Sequence, residues 1–374
     1  MVFNIFKKKK NKEEGQSMND HYYNLKVREI IQETSDAITI VFDHPDGNKL
    51  QYKEGQFLTL ICDINGEKVR RAYSLCSSPC CDEYPAVTVK IVEGGKMSTY
   101  LNNTLKVGDF IQVMEPMGHF TTEIIGSNKR HIFLFGGGSG ITPLLSIIKS
   151  ILHGEPQSIL SLIYANRNEL SIIFKDKITS LQEEFPGRLN VIHVLDNAPL
   201  NWQGPSGLLN PEMLKKILAE LPDWKTDPTV YLMCGPEGMM NNVENTLTAF
   251  GISKDKIFKE SFVSGTINKK EQIETAEEAK ESLISHEVTV IYDGEEFKFS
   301  VEPGKTILET ALDLDIDLPY SCQSGLCTAC RGKCLSGKVK LDEEEGLSEQ
   351  ELQEGYVLTC VGHPLTSDVV IEIG

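Results

Sequence analysis

Apolar and polar positions follow two different rhythms along this chain, and the rhythm changes near residue 123. From residue 21 to 122 the apolar side chains come in short β-rich runs with turn residues between them: LKVREII (25–31), AITIVFD (37–43), FLTLICDI (57–64) and AVTVKIV (86–92). Asn65-Gly66 has the residues of a two-residue hairpin turn. Strands this closely spaced predict an antiparallel barrel or sandwich. From 123 to 263 strand-like and helix-like patterns take turns. HIFLF (131–135) precedes ITPLLSIIKSIL (141–152), ILSLIYA (159–165) precedes SIIFKDKITSLQEEF (171–185), LNVIHVL (189–195) precedes PEMLKKILAEL (211–221), and VYLMCG (230–235) precedes PEGMMNNVENTLTAF (236–250). This predicts an α/β domain, a parallel sheet with helices on both faces and ligands beyond the carboxyl ends of its strands.

Residues 264–285 are polar with few large apolar side chains and read as a linker, part of it helical. Beyond it, EVTVIYDGEEFKFSV (287–301) is two alternating runs around an Asp293-Gly294 hairpin turn, followed by a short helical TILETALD (306–313). No internal repeat is present. The expected organisation is a basic tail (1–20), a β-barrel (21–122), an α/β domain (123–263), a linker (264–285) and a C-terminal domain (286–374).

A length of 374 residues suits two to three domains. The net charge of −17 is uneven: residues 286–374 carry 18 Asp/Glu against 6 Lys/Arg. So acidic an end argues against nucleic acid, and the lysines at 7–10 are too few to reverse that and read as a solvated tail. The longest apolar runs fall short of the roughly 18 residues that a spanning helix needs. The N-terminal MVFNIFKKKK places apolar residues before its lysines, the reverse of a secretory signal, so a cytoplasmic location without a membrane span is expected.

Ten cysteines in a reducing compartment point to metal rather than to disulfides. Cys322, Cys327 and Cys330 in SCQSGLCTAC, with Cys360 in YVLTC, have the C-x4-C-x2-C…C spacing of a plant-type [2Fe-2S] cluster. A tight loop must turn its amides towards the sulfurs, and Ser324, Gly325, Thr328 and Ala329 are small enough to permit it. A structural zinc site is the competing reading, but zinc more often takes paired C-x2-C knuckles. Cys334 receives no ligand role. The eight histidines, at 21, 44, 119, 131, 153, 193, 286 and 363, are scattered and show no oxygen-activating iron site.

Two further motifs precede the cysteines. Arg71, Tyr73 and Ser74 in VRRAYSLCSSP, with Gly95, Lys96, Met97 and Ser98 in EGGKMSTYL, combine a cation and backbone amides for a pyrophosphate, an aromatic for a flavin and a donor for its ring nitrogens. Gly136, Gly137, Gly138, Ser139 and Gly140 in FLFGGGSGITP lie between a strand and a helix, where glycines let a backbone approach a diphosphate. Taken alone, RAYS fits an ordinary strand and the glycines fit a structural turn. Asn166 and Arg167 follow the second parallel strand, where an acidic residue would bind the ribose of NAD; Arg167 suits a 2′-phosphate, so NADPH is favoured over NADH.

With GQF (55–57), GHF (118–120), MCGPEGM (233–239) and FKESF (258–262), these motifs resemble the ferredoxin-NADP reductase superfamily, and residues 286–374 resemble plant-type ferredoxins with their β-grasp fold. The resemblance implies that Arg71 meets the flavin pyrophosphate, Tyr73 packs on the flavin and Ser74 reaches its N5. It implies that Thr142 and Cys234 border the nicotinamide, that Gly235 and Pro236 after Cys234 at the end of the fourth parallel strand belong to the nucleotide site, and that Glu260 and Phe262 lie near the reactive edge of the flavin. Ser74, Cys234 and Glu260 are thus the expected catalytic residues. Cys234 has no histidine base beside it in sequence, and hydride transfer needs none. GGKMS resembles FAD-binding members more than the FMN-binding phthalate dioxygenase reductases.

Hydride brings two electrons, a flavin can release them singly, and a [2Fe-2S] cluster carries one at a time. The expected activity is therefore an NADPH-dependent reductase passing electrons through FAD and the cluster to another protein. Domain order and motifs make nearly the whole chain after residue 20 resemble the reductase components of phenylacetyl-CoA epoxygenases, which implies a di-iron oxygenase as acceptor and a role in phenylacetate catabolism. The same residues would also serve a fatty-acid desaturase, another hydroxylase or a hybrid-cluster protein. A non-enzymatic redox sensor is the alternative of another class.

Overall fold

The computed structural model describes residues 22–45, 48–221, 228–262, 284–344, 346–347 and 349–373. The basic tail and nearly all of the expected linker lie outside them.

The first unit contains β1 (Tyr22–Thr34), β2 (Ala37–Phe42), β3 (Phe57–Ile64), β4 (Glu67–Ser74), β5 (Ala86–Lys90), α1 (Lys96–Asn103) and β6 (Phe110–Met114). Its antiparallel sheet has the order β4-β3-β6-β1-β2-β5, and a bridge from Leu75 to Val87 joins its ends into a barrel. Strand side chains alternate between faces, so Leu25 and Val27, Leu58 and Leu60, and Val87 and Val89 all point into one fully buried core. Asn65 and Gly66 both have positive φ, 57° and 81°, the backbone that a type I′ hairpin requires.

The second unit contains β7 (His131–Gly137), α2 (Ile141–Gly154), β8 (Ile159–Asn166), α3 (Lys175–Glu184), β9 (Leu189–Leu195), α4 (Pro211–Glu220), β10 (Thr229–Cys234), α5 (Glu237–Ala249) and β11 (Ile257–Glu260). All its strands are parallel, in the order β11-β10-β7-β8-β9. The order reverses at β7, so the crevice beyond the ends of β7 and β10 is the ligand position of a doubly wound sheet. The second helix-like pattern of this unit begins at Ser171, but its helix starts later. Phe174 has φ 61°, a left-handed backbone that a helix interior does not accept, so the helix begins only at Lys175, and Ile172, Ile173 and Phe174 are buried ahead of it.

The third unit contains β12 (His286–Tyr292), β13 (Glu295–Val301), α6 (Ile307–Asp313), β14 (Arg331–Ser336), β15 (Val339–Leu341), α7 (Glu349–Gln353), β16 (Tyr356–Leu358), β17 (Gly362–Pro364) and β18 (Val369–Ile373). Its five-stranded mixed sheet has the order β13-β12-β18-β14-β16 and carries α6, which starts with a capping box between Thr306 and Glu309. Asp293 and Gly294 have φ 52° and 75°, the hairpin expected there. Among the described residues, no helix is long and apolar enough to cross a membrane.

Candidate redox site at the junction of three domains

The four cysteines converge. Cys322 stands within hydrogen-bonding reach of Cys327 and Cys360, and Cys360 within reach of Cys330. Their thiols compete for protons. Donation from Cys327 and Cys360 pulls Cys322 far below the ordinary thiol value, while Cys327 and Cys360 are pushed up. The amide of Ser324 also points at Cys322 Sγ, 3.4 Å away. Gly325 has φ 73°, and a Cβ there would lie 2.7 Å from the Glu343 side chain, so the loop closes only with glycine. Among the described residues, no three ligands are spaced to hold a single ion. Four converging thiols are the donor set of a two-iron cluster, and these residues fit one.

On β4, alternation sends Arg71 and Tyr73 to one face and Arg70, Ala72 and Ser74 to the other. Arg71 is exposed and donates to the Arg70 carbonyl at 2.7 Å, which leaves its other guanidinium donors available to a phosphate. Burial pushes the Tyr73 phenol up, so it stays neutral, as packing on a flavin requires. At the start of α1, the Ser98 hydroxyl accepts from the Val92 amide at 3.1 Å, and a Cβ on Gly95 would lie 2.7 Å from that hydroxyl. Lys96 is exposed and ion-paired to Glu67 at 2.6 Å, whereas Met97 is 2% exposed within the barrel core. The Met97 side chain therefore packs the barrel, and the start of α1 at Gly95 has no capping side chain. A cation, a neutral aromatic and a small-residue turn make this surface fit a flavin with its pyrophosphate.

GQF and GHF have a structural explanation. Gly55 and Gly118 both have positive φ, a Cβ on Gly55 would lie 1.9 Å from the Phe120 carbonyl oxygen, and one on Gly118 would lie 3.1 Å from the Phe57 ring. The two triplets interlock, with paired backbone hydrogen bonds between Phe57 and Met117.

In the α/β unit, the glycine turn after β7 is pressed against the end of β10. A Cβ on Gly137 would lie 2.5 Å from Pro236, one on Gly140 2.0 Å from the Cys234 carbonyl oxygen, and one on Gly235 2.9 Å from the Gly137 backbone. Gly136 sits beside Cys234 in the sheet, and Gly138 has φ 53°. The first turn of α2 has no capping side chain; Thr142 is buried and donates to the Ser139 carbonyl at 3.0 Å. A glycine turn that runs through Gly138–Gly140 into a helix start, beside backbone that no side chain shields, fits a diphosphate. At the end of β8, Asn166 is 5% exposed, and its side-chain nitrogen and oxygen make no hydrogen bond among the described residues. Its neighbour Arg167 is exposed and pairs with Asp36 across the domain boundary at 3.1 Å, with Lys90 3.8 Å from the same carboxylate.

The fully buried Cys234 thiol is pushed well above its ordinary value by burial and then by the facing Glu260 charge, so it is no thiolate nucleophile. Cys234 and Glu260 are partners in the ladder of β10 and β11. Burial, with a smaller effect of the Cys322 charge, lifts the Glu260 carboxyl to about 8. Glu260 therefore faces the nucleotide turn on one side and the cysteine loop on the other. Phe262, the last described residue of this unit, is exposed.

The cysteine loop also meets the barrel. Phe57 packs with Cys327 and Ala329, and Ala72, Met117 and Cys322 join the cluster. Ser74 lies directly across from Phe57 in the β3–β4 ladder. All three expected centres thus share one junction, which composition and motif spacing leave open. Phe57 within FLTLICDI and Arg70 beside Arg71 carry no sign in the sequence of these contacts; Arg70 forms an ion pair with Asp317 at 2.5 Å, 247 positions away.

Comparison with known proteins agrees with this anatomy. Residues 24–122 match the oxidoreductase FAD-binding domain, 134–245 the oxidoreductase NAD-binding domain and 290–365 the 2Fe-2S iron-sulfur cluster binding domain. The chain is 34% identical over 354 residues to a component of the 1,2-phenylacetyl-CoA epoxidase of Escherichia coli (94% of this chain, 97% of the relative). It is 35% identical to the ferredoxin reductase component of 3-ketosteroid-9-alpha-monooxygenase from Rhodococcus rhodochrous (93% and 96%), and 29% identical to a glycine betaine monooxygenase reductase of Pseudomonas aeruginosa (92% and 93%). Among solved structures, phthalate dioxygenase reductase matches with a TM-score of 0.56 at 23% identity, covering 94% of this chain and 98% of that one. With FAD-binding, NAD-binding and iron-sulfur domains in this order and such relatives along nearly its whole length, the chain belongs to the family of oxidoreductases that serve as reductase components of oxygenase systems.

Proposed function

We propose that the chain draws electrons from NADPH and passes them through FAD and a [2Fe-2S] cluster, held by Cys322, Cys327, Cys330 and Cys360, to a di-iron phenylacetyl-CoA epoxygenase in the cytoplasm. The observation that carries the electron route is the contact of Phe57 with Cys327 and Ala329, directly across the ladder from Ser74. The bound flavin would supply the change from two-electron to one-electron chemistry. The chain's own residues do the positioning. Gly137 and Gly140 let the nucleotide turn approach Cys234, Thr142 and Cys234 would border the nicotinamide, and Ser74, on the β4 face opposite Tyr73, would offer its hydroxyl to a ring nitrogen at the flavin edge. Glu260, with its carboxyl lifted to about 8, can hold a proton near neutral pH between the nucleotide turn and the cysteine loop.

Arg167 supports the choice of NADPH. It is exposed at the end of β8, and its present partner Asp36 is a surface carboxylate that a 2′-phosphate can displace. The choice of acceptor rests on the 34% likeness to the epoxidase component along almost the whole chain. The steroid monooxygenase reductase, at 35%, supports a hydroxylase as the second reading. Reoxidation of the NADPH-reduced protein by purified epoxidase or by the steroid hydroxylase distinguishes them. The proposal expects rapid reoxidation by the epoxidase alone, and the reverse preference would overturn it.

A further inference from the structure

The outer face of an antiparallel barrel is ordinarily solvated, yet one face of the β3–β4 ribbon is not. Phe57, Thr59, Ile61 and Arg70 on that face are 3%, 0%, 5% and 1% exposed. The iron-sulfur domain covers the two ends of this strip. At one end of the strip Phe57 packs on Cys327 and Ala329. At the other, the Arg70 guanidinium donates to Asp317 at 2.5 Å and to the Leu318 carbonyl at 3.4 Å, and lies over the Tyr320 ring at 4.4 Å. Lys68 reaches the second Asp317 oxygen at 3.1 Å, and the Tyr22 hydroxyl stands between Arg70 and Tyr292.

We infer that Arg70 and Asp317 form an interdomain clasp that positions the iron-sulfur domain for electron transfer, a role that rests on the electron route proposed above. Arg70 is four residues before Ser74 on the same strand face, about 13 Å away at the usual strand rise. A tie that far from the Phe57–Cys327 contact fixes the rotation of the iron-sulfur domain about that contact. A second tie, from Arg331 to His119 Nε2 at 3.2 Å, holds the domain elsewhere along the same boundary. Loss of the clasp therefore lets the domain pivot instead of dissociate.

The clasp is suited to reversible docking. Asp317 is 56% exposed, so little of its hydration is lost in the closed arrangement, and Arg70 would regain water if the domain swung away. A charge-assisted hydrogen bond across such a boundary shifts a docking equilibrium by roughly ten- to a hundred-fold. No chemical step is added: electrons enter from the nicotinamide and leave to the oxygenase.

The test uses the FAD- and cluster-loaded protein carrying Asp317→Asn, a surface change outside the barrel, and Arg70→Met. Hydrogen exchange of the 57–64 and 321–330 segments should quicken in both variants. In stopped-flow mixing with NADPH, flavin bleaching should stay within about twofold of the parent while cluster bleaching slows about tenfold. Both reduction potentials should be unchanged, and Arg70→Lys should restore part of the cluster rate. Parental exchange and cluster bleaching in Asp317→Asn would overturn the clasp, as would equal slowing of flavin and cluster. If the parent itself bleaches its flavin but never its cluster, the proposed electron route fails instead, and the exchange data still decide whether the clasp exists.

Discussion

Gly140→Ala is the sharpest test of how the nucleotide turn is built. Gly140 has φ −61° and ψ −9°, a backbone that any residue adopts, so the substitution introduces no conformational strain of its own. Only space forbids it: the new Cβ would lie 2.0 Å from the Cys234 carbonyl oxygen and 2.7 Å from the Gly235 nitrogen. Ordinary non-bonded contacts begin near 3.5 Å, so the turn after β7 and the end of β10 must part by about 1.5 Å. A misplacement of about 1 Å in a reacting pair costs on the order of 10²-fold, or about 2.7 kcal/mol of barrier. The expected result is flavin bleaching by NADPH slowed about a hundredfold, with the cluster still loaded and still able to deliver dithionite-derived electrons. Gly238→Ala is the control, since a Cβ there meets nothing within 4 Å, and it should leave the rate unchanged. Stopped-flow absorbance at the flavin band measures both. A Gly140→Ala rate within threefold of the parent, in a folded protein, would refute the close approach of these two turns as a requirement for hydride transfer.

Three further outcomes are expected. Arg167→Ala should raise the KM for NADPH about tenfold and leave that for NADH unchanged, because one charge-assisted bond to a 2′-phosphate is lost; equal effects on both nucleotides in steady-state assays would remove Arg167 from nucleotide choice. Cys327→Ser should abolish the cluster absorbance and cytochrome c reduction while leaving NADPH-driven flavin bleaching intact, and retained cytochrome c reduction would show that electrons bypass the cluster. Glu155→Gln should cost about 3 kcal/mol, since it breaks a pair in which the fully buried carboxylate accepts from Arg130 at 2.8 Å, with Ser158 and Asn128 as further donors. Burial alone would raise the Glu155 pKa, but these partners outweigh it and hold the carboxyl below the usual carboxylate range. Its stabilisation is then complete above the ordinary carboxylate pKa of about 4.3 and is lost as pH falls through the folded value. Melting curves from pH 7 to 3 should show the difference between parent and Glu155→Gln shrinking as the pH is lowered, and a constant difference would contradict the assignment.

The local features were legible because their causes are local. Asn65-Gly66 and Asp293-Gly294 demand positive φ at both positions, and no other short signal says hairpin so strongly. The four cysteines were legible through ligand spacing, and alternation of strand and helix patterns was enough to announce a doubly wound sheet. What was not legible depends on meetings between distant segments. Gly140 reads as one more glycine in a rich turn until the Cys234 carbonyl is seen beside it. Arg70 and Arg71 look interchangeable in sequence, yet one faces solvent and the other is buried against a carboxylate in another domain. Met97 belongs to a cofactor motif and still spends its side chain on the barrel core. The early start predicted for the second helix-like segment fails for a related reason: Ile172, Ile173 and Phe174 answer to the core around them, and the left-handed backbone at Phe174 has no mark in their sequence pattern.

Anaerobic titration of the loaded protein with NADPH tests the central claim most directly, since it follows flavin and cluster absorbance in one cuvette. The account predicts that both bleach with NADPH, and that adding the oxygenase restores both. Bleached flavin beside a cluster that stays oxidised with NADPH, yet is reduced by dithionite at a potential above that of the flavin, would contradict the route from Ser74 through Phe57 to the cysteine loop.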